Sequence, residues 1–456
     1  MASPSTTLPQ TWKQKLFFLA AAVYHADAFA SKLATTARHR FFTHTRHQPL
    51  PTTLLYKIHD EEMAQTVNMN TDKLKIPPLS SILTNSRSLP QDEVRLSLLP
   101  SPDGDLHPYP LVVRPKHDSS IYFLTGFVNN NRGWLDSQLT QYGAILFRGF
   151  GLNTTDQVET AIQALEPYLS DTYRGTSPRS AQDGTKYVFS SAEVPSHFPI
   201  AQHLEMSFLP ALPRRVFFSA LQAPQLAGGE TALADFRQVY RDIPKTLREK
   251  MLSKKLRYTR TLHRRGFRWS PDVASQKSWS EVYGTNDKAK VEEIAKEEGI
   301  PMRWGRKDSI VSQYESNAFE RHPQTGEMTW FNHAQVFHWT SFPAELWYAF
   351  RRTKDLRFFF HSAAIWVYSI FWYGLLRRRM ALNVTFGDGS AISIREMQQI
   401  RKAIHKNMVL NRWEKGDLVM IDNLSTSHGR QPTYDHGRRV VVAWSDVVEK
   451  SRGLMN

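Results

Sequence analysis

His203-Leu204-Glu205 sets an imidazole and a carboxylate two residues apart. In an extended segment such residues point to the same face, so the pair can grip one ion. A second histidine follows in Ser427-His428-Gly429-Arg430, and Arg438-Arg439 opens the β-rich run Val440–Trp444. Two histidines, one carboxylate and one arginine are the ligand inventory of a facial-triad, non-haem Fe(II) site with a carboxylate-bearing cosubstrate. Taken singly, each residue has an ordinary reading: Glu205 capping a turn, His428 in the core, Arg438-Arg439 a solvated charge pair. The chain has no cysteine, so disulfides, zinc fingers and thiol nucleophiles are excluded. Any metal must be held by His, Asp or Glu.

Short strands have to carry these residues. From about Tyr109 the text turns to compact αβ material. Gly143–Phe150 reads as a buried strand, and Thr154–Leu169 as a capped amphipathic helix with Val158, Ile162, Leu165 and Leu169 on one face. Asn286–Glu298 is a polar helix. Gly228-Gly229-Glu230-Thr231-Ala232 is a turn leading into a strand, and Ala381–Phe386, Asp417–Ile421 and Val440–Trp444 are further strands. No internal repeat and no nucleotide loop is visible. Strands at both ends with helices between predict a closed β-structure with helical insertions. With 456 residues, 41% of them hydrophobic, the chain is not wholly disordered and can bury a substantial core.

The net charge of +15 invites a nucleic-acid reading, but its distribution argues otherwise. Residues 1–50 hold six Lys/Arg against one Asp, and residues 345–380 hold seven against two acidic residues. Two thirds of the excess therefore sits in two segments, each built around an apolar run. That pattern fits a membrane surface better than a nucleic-acid groove, so no nucleic-acid partner is expected.

From about residue 108 to 446 the chain resembles the taurine dioxygenase / clavaminate synthase-like family of Fe(II)- and 2-oxoglutarate-dependent dioxygenases. The matching text is YPLVVRP (109–115), GAILFRGF (143–150), HLEMSF (203–208), GGETALADFRQVY (228–240), WFNHAQVF (330–337), LNVTFGDGSAI (382–392) and GDLVMIDNLSTSHGR (416–430). The resemblance implies an α+β fold, a double-stranded β-helix (jelly-roll) core with helical insertions and an N-terminal extension. It implies His203, Glu205 and His428 as catalytic iron ligands, Thr231 as a hydrogen-bond partner of 2-oxoglutarate, and Arg439 as the partner of its distal carboxylate. Only one of two adjacent strand residues can enter a barrel, and the family spacing assigns that place to Arg439 over Arg438. Fe(II), 2-oxoglutarate and O2 are then the cofactor and cosubstrates. The implied reaction is oxidation of an unactivated C–H of a small molecule, by hydroxylation or desaturation, with release of succinate and CO2. Ring formation stays open, and halogenation is disfavoured because Glu205 holds the position that halogenases vacate. The substrate is expected in specialised metabolism, and missing zinc-binding cysteines disfavour the butyrobetaine hydroxylase branch. Asn332 and His333 have two equal readings, lining the substrate or packing the core. A catalytically inactive, membrane-associated binding protein with the same barrel is the alternative.

Two segments depart from the family. Residues 1–105 read as an extension with an apolar run at 16–30 that imitates a signal or transit peptide, ahead of an oxygenase domain at 106–450. Within an insertion at 345–380, Phe358–Leu376 is 19 uncharged residues with basic flanks. As a helix it would reach about 28 Å, near bilayer thickness. It cannot simply span a membrane, because His203 and His428 lie on either side of it in sequence and must meet. An in-plane interfacial helix, a lid over the substrate, a buried helix and a spuriously included segment are the readings that survive. The expected location is intracellular, cytoplasmic or loosely membrane-associated, with mitochondrial targeting open.

Overall fold

Strands Leu418–Asp422 and Thr426–Arg430 are consecutive in the chain yet belong to different sheets, and this alternation organises the whole molecule. The computed structural model describes residues 93–100 and 106–449, except 176, 178, 192–193, 227, 265–276, 434 and 436. The apolar run at 16–30 lies outside the described residues.

The larger sheet has seven strands in the order Val94–Pro100, Leu106–Pro115, Ala144–Phe147, Leu418–Asp422, Arg215–Gln222, Arg439–Trp444 and Phe189–Ser190. All its pairs are antiparallel except Leu106–Pro115 with Ala144–Phe147. The smaller sheet has four antiparallel strands, Met408–Asn411, Thr231–Asp235, Thr426–Arg430 and Ile200–His203. From Met408 onward the chain steps from small sheet to large, back to small and back to large. That is the strand path of a jelly roll. The two sheets face each other: the Phe218 ring of the larger lies 4.8 Å from the His428 ring of the smaller. Large apolar residues fill the space between sheets and covering helices, with Phe147, Phe217, Phe386, Trp330 and Trp444 fully buried.

A third antiparallel sheet, Met302–Trp304, Ile310–Ser316, Leu256–Leu262 and Leu382–Phe386, flanks the pair. The predicted strand near 381–386 thus forms, but outside the two site-bearing sheets. The predicted helix after Thr154 is Thr155–Leu165, opened by a capping box in which Thr154 and Gln157 exchange side-chain bonds. It stops four residues short of Leu169 because Pro167 forces Glu166 into extended backbone (φ −144°, ψ 105°). The predicted helix at 286–298 is Lys288–Glu297, with Asp287 as its N-cap.

The insertion forms two packed helices, Ser341–Thr353 and Leu356–Ser369, the second continued by a π-helical turn, Ile370–Leu375. Phe358 and Ile365 pack on Leu346 and Ala349 together with Phe198, Phe342 and Phe350. Ser362 Oγ donates to the Pro343 carbonyl at 2.8 Å, pinning the pair.

Candidate metal centre

The end of strand Ile200–His203 meets the middle of Thr426–Arg430, with His203 directly opposite His428. Their rings stand 4.4 Å apart between centroids. Glu205 reaches the same place by a different route from the one its spacing predicts. The strand ends at His203, and the chain turns through Met206, whose φ is +56°. Strand alternation therefore plays no part; a clamp on the turn does. Asn423 Oδ1 accepts from the Glu205 N–H at 2.7 Å, while its Nδ2 donates to the Glu205 and Pro213 carbonyls at 3.0 and 2.8 Å. One donor or acceptor atom from each of His203, Glu205 and His428 lies within 4.8 Å of the others.

The imidazoles are preset for a cation. His203 Nδ1 lies 2.8 Å from the Ala201 carbonyl, which can only accept, so Nδ1 carries the proton and Nε2 keeps its lone pair. His428 turns Nε2 towards Glu205 Oε2, 3.5 Å away. Burial, reinforced by His428, lowers His203 from its usual range to about 4, which keeps it neutral and able to ligate. Burial would push the Glu205 carboxyl up, but Arg179 and the two imidazoles outweigh it and hold the group well below the usual carboxylate range. Arg179 Nη2 donates to Glu205 Oε2 at 2.8 Å, and the Tyr173 hydroxyl donates to Oε1 at 3.1 Å. The Arg179 guanidinium also stacks over Tyr173, 4.7 Å from the ring centre.

Thr231 begins its strand opposite Arg430, and Leu233 lies opposite His428. Alternation then puts Thr231, Leu233, His428 and Arg430 on one face, beside the histidines. Arg430 is buried with Nη2 on the carbonyls of Val194, Pro195 and Phe198, while its Nε has no partner among the described residues. Arg439 is exposed, with Nη2 on Gln182 Oε1 at 3.0 Å. Arg438 is the residue that turns inward, donating from Nε to the Gly229 carbonyl at 2.7 Å, and burial and Arg430 lower it to about 9. Val442 lies opposite Phe218, whose ring faces His428, and counting back in twos from Val442 reaches Val440 and then Arg438, whereas Arg439 falls on the other face. Gly228 and Gly229 make room for the arrangement with φ of +99° and +74°. A Cβ on Gly228 would lie 2.5 Å from the Pro432 carbonyl oxygen, and one on Gly229 would lie 2.9 Å from Arg438 Cδ.

Asn332 is wholly buried and structural: Nδ2 donates to the Ala318 carbonyl at 2.7 Å and Oδ1 accepts from the Ala334 N–H at 2.9 Å. His333 is placed nearer the chemistry, its ring 5.0 Å from that of His203 and its Nδ1 2.9 Å from Ser207 Oγ. Asn423 sits in the quoted GDLVMIDN text, where its position in the turn before a ligand strand was the available signal. Tyr173 and Arg179 lie in irregular chain with no periodicity to mark them.

Two imidazoles and a carboxylate converging on one point fit a divalent iron ion. Buried Arg430, half-buried Arg438 and the enclosed guanidinium of Arg179 suit an anionic cosubstrate.

The sequence profile of the taurine catabolism dioxygenase TauD, TfdA family matches residues 124–444. The dapdiamide synthesis protein DdaC of Enterobacter agglomerans is 29% identical over 318 residues, covering 70% of this chain and 86% of that protein. A clavaminate synthase-like protein of Arabidopsis thaliana is 24% identical over 357 residues, covering 74% and 93%. Among solved structures, PvcB from Pseudomonas aeruginosa aligns with a TM-score of 0.43 at 13% identity, over 79% of this chain and 94% of that one. A taurine dioxygenase from Burkholderia xenovorans aligns with a TM-score of 0.41 at 14% identity, over 79% and 92%. With the profile spanning both histidines, the carboxylate and the strands that carry them, the chain belongs to the TauD, TfdA family of iron- and 2-oxoglutarate-dependent dioxygenases.

Proposed function

We propose that this enzyme oxidises an unactivated C–H of a small molecule, by hydroxylation or desaturation, while 2-oxoglutarate and O2 are converted to succinate and CO2. The convergence of His203, Glu205 and His428 within 4.8 Å carries the reading. These three would hold Fe(II), which supplies O2 activation once 2-oxoglutarate is bound to it. The chain's own contribution is placement and dryness. Ala201 fixes one imidazole, Asn423 fixes the turn bearing the carboxylate, and the sheets close around them.

For the cosubstrate, Thr231 offers a hydroxyl on the inner face, and Arg438 takes the role expected of Arg439, pairing with the distal carboxylate. The Gly228-Gly229 turn supports this by bringing the Arg438 side chain against the residues just before Thr231. Similarity to a protein named for dapdiamide synthesis supports a substrate from specialised metabolism. An intracellular location follows from dependence on 2-oxoglutarate.

Anaerobic addition of Fe(II) and 2-oxoglutarate should give a weak visible charge-transfer band, absent from His203→Ala and His428→Ala. Succinate release across a panel of amino-acid-derived amides would then identify the substrate class. Absence of the band from the wild-type protein would overturn the reading.

A further inference from the structure

The helix Leu356–Ser369 and its π-helical continuation have two unlike sides. Phe358, His361, Ser362, Ile365 and Ser369 face inward onto the Ser341–Thr353 helix. On the opposite side Leu356, Phe360, Ala363, Val367 and Ile370 recur at steps of four and three residues and are exposed, in one continuous stripe. Phe360 is 58%, Val367 61% and Leu375 72% exposed. Of the fourteen large apolar side chains exposed among the described residues, eight lie between 347 and 376. A patch concentrated in this way marks a surface that something covers.

Its rim says what. Exposed basic residues bracket the stripe, Arg351 and Lys354 at one end and Arg377, Arg378 and Arg379 at the other. Asp355, the acidic residue between them, is taken up by Arg357 at 2.6 Å. Trp347 and Phe359 stand partly exposed at the edge, 6.2 Å apart between ring centres, as aromatic residues do at the headgroup level of a bilayer. A second copy of this chain is a poor occupant, since both parallel and antiparallel pairing of two such helices would set cation against cation. A spanning arrangement is also excluded. The helix is sealed along one side onto its neighbour, and the next strand, Leu382–Phe386, returns to pair with Leu256–Leu262.

We propose that this face is a monotopic docking surface for an anionic lipid bilayer, with the helix lying in the interface plane and the five cations reaching lipid phosphates. The docked element is tied to the metal centre. Phe198, packed 5.1 Å from Phe342 between ring centres, belongs to the segment whose carbonyls hold Arg430 and which leads into the strand of His203. The proposal stands independently of the substrate.

Sedimentation of the full-length protein with vesicles of phosphatidylcholine, alone or mixed with phosphatidylserine, tests it. Binding is expected only with the anionic lipid and should weaken with salt. Each cation is worth roughly a fivefold change in partitioning. Arg377→Gln, Arg378→Gln and Arg379→Gln together should therefore weaken binding on the order of 100-fold. Phe360→Asp with Val367→Asp should weaken it at least as much, with thermal unfolding unchanged because both sites are exposed. Because the chain has no cysteine, Val367→Cys carries a single environment-sensitive dye, whose emission should shift to the blue on vesicles. Three results would overturn the proposal: no wild-type binding, binding unaltered in these variants with no dye shift, or a dimer that Phe360→Asp dissolves.

Discussion

Arg179 and Glu205 form an ion pair of 2.8 Å with side chains only 4% and 3% exposed, on the very oxygen that faces His428. The guanidinium therefore stands where a metal ion's charge would act, and the two compete for the same carboxylate. Removing one partner of a buried pair leaves an uncompensated charge, at a cost of about 3–5 kcal/mol. Arg179→Gln should lose about that much stability in chelator and recover most of it with Mn(II) or Fe(II). Its metal affinity should exceed that of the wild type. Thermal unfolding with and without metal checks this, and equal losses in both conditions would show that Arg179 serves packing alone.

The turn after His203 makes a second prediction. Asn423 satisfies one N–H and two carbonyls with a single amide. Asn423→Asp keeps the shape but loses both donors and adds a buried negative charge beside Glu205. Such a change costs on the order of 3 kcal/mol or more. The variant should bind Fe(II) at least tenfold more weakly, read from the charge-transfer band, as outer partners of metal ligands typically do. Asn423→Ala should be intermediate.

The candidate metal ligands were legible because residue type and order survive folding: His203, Glu205 and His428 do meet. Their geometry was less so. The two-residue spacing suggested one strand face, whereas the pairing comes from a turn held by Asn423, a contact between residues 218 positions apart. For Arg438 and Arg439 the family spacing points to one residue, whereas alternation back from Val442, opposite the inward-facing Phe218, sets the other towards the interior. Arg179 and Tyr173 were invisible because an irregular segment has no period to read. The apolar helix, by contrast, was plain from composition, and what folding added was the division of its surface into a packed side and an exposed one.

Acid should destabilise the protein through two buried histidines. His338 Nε2 donates to the Ile392 carbonyl at 3.0 Å, and Nδ1 accepts from the Thr340 hydroxyl at 2.7 Å, whose oxygen in turn accepts from Arg401. A proton on Nδ1 would meet donors. Burial, with the Arg401 charge, lowers His338 to about 3, and burial with His428 lowers His203 to about 4. Below pH 6.5 the unfolded chain takes up both protons while the native one does not, so stability falls as pH drops from 6.5 towards 4. Each site contributes about 1.4 kcal/mol per pH unit across that window. His338→Gln, which can keep one donor and one acceptor, should remove about half of this part of the slope in denaturant titrations at pH 6.5 and 4.5. An unchanged slope would mean His338 already binds its proton in the folded state.

The two adjacent arginines give the sharpest test of how 2-oxoglutarate is held. Arg438 runs along the Gly228-Gly229 turn towards the residues before Thr231, whereas Arg439 is exposed on Gln182. A buried guanidinium that pairs with a carboxylate is worth roughly 3 kcal/mol, so Arg438→Gln should raise the KM for 2-oxoglutarate on the order of 100-fold. The metal-only thermal shift should stay unchanged, because Arg438 is not a ligand. Arg439→Gln should alter KM by less than about threefold, the usual scale for an exposed polar contact. Gly229→Ala supplies an independent check. Its methyl would lie 2.9 Å from Arg438 Cδ on backbone with φ +74°, so it should displace the same side chain and raise the same KM without removing the charge. If Arg439→Gln were the damaging change and Arg438→Gln the silent one, the strand would have to turn its other face inward when the cosubstrate binds.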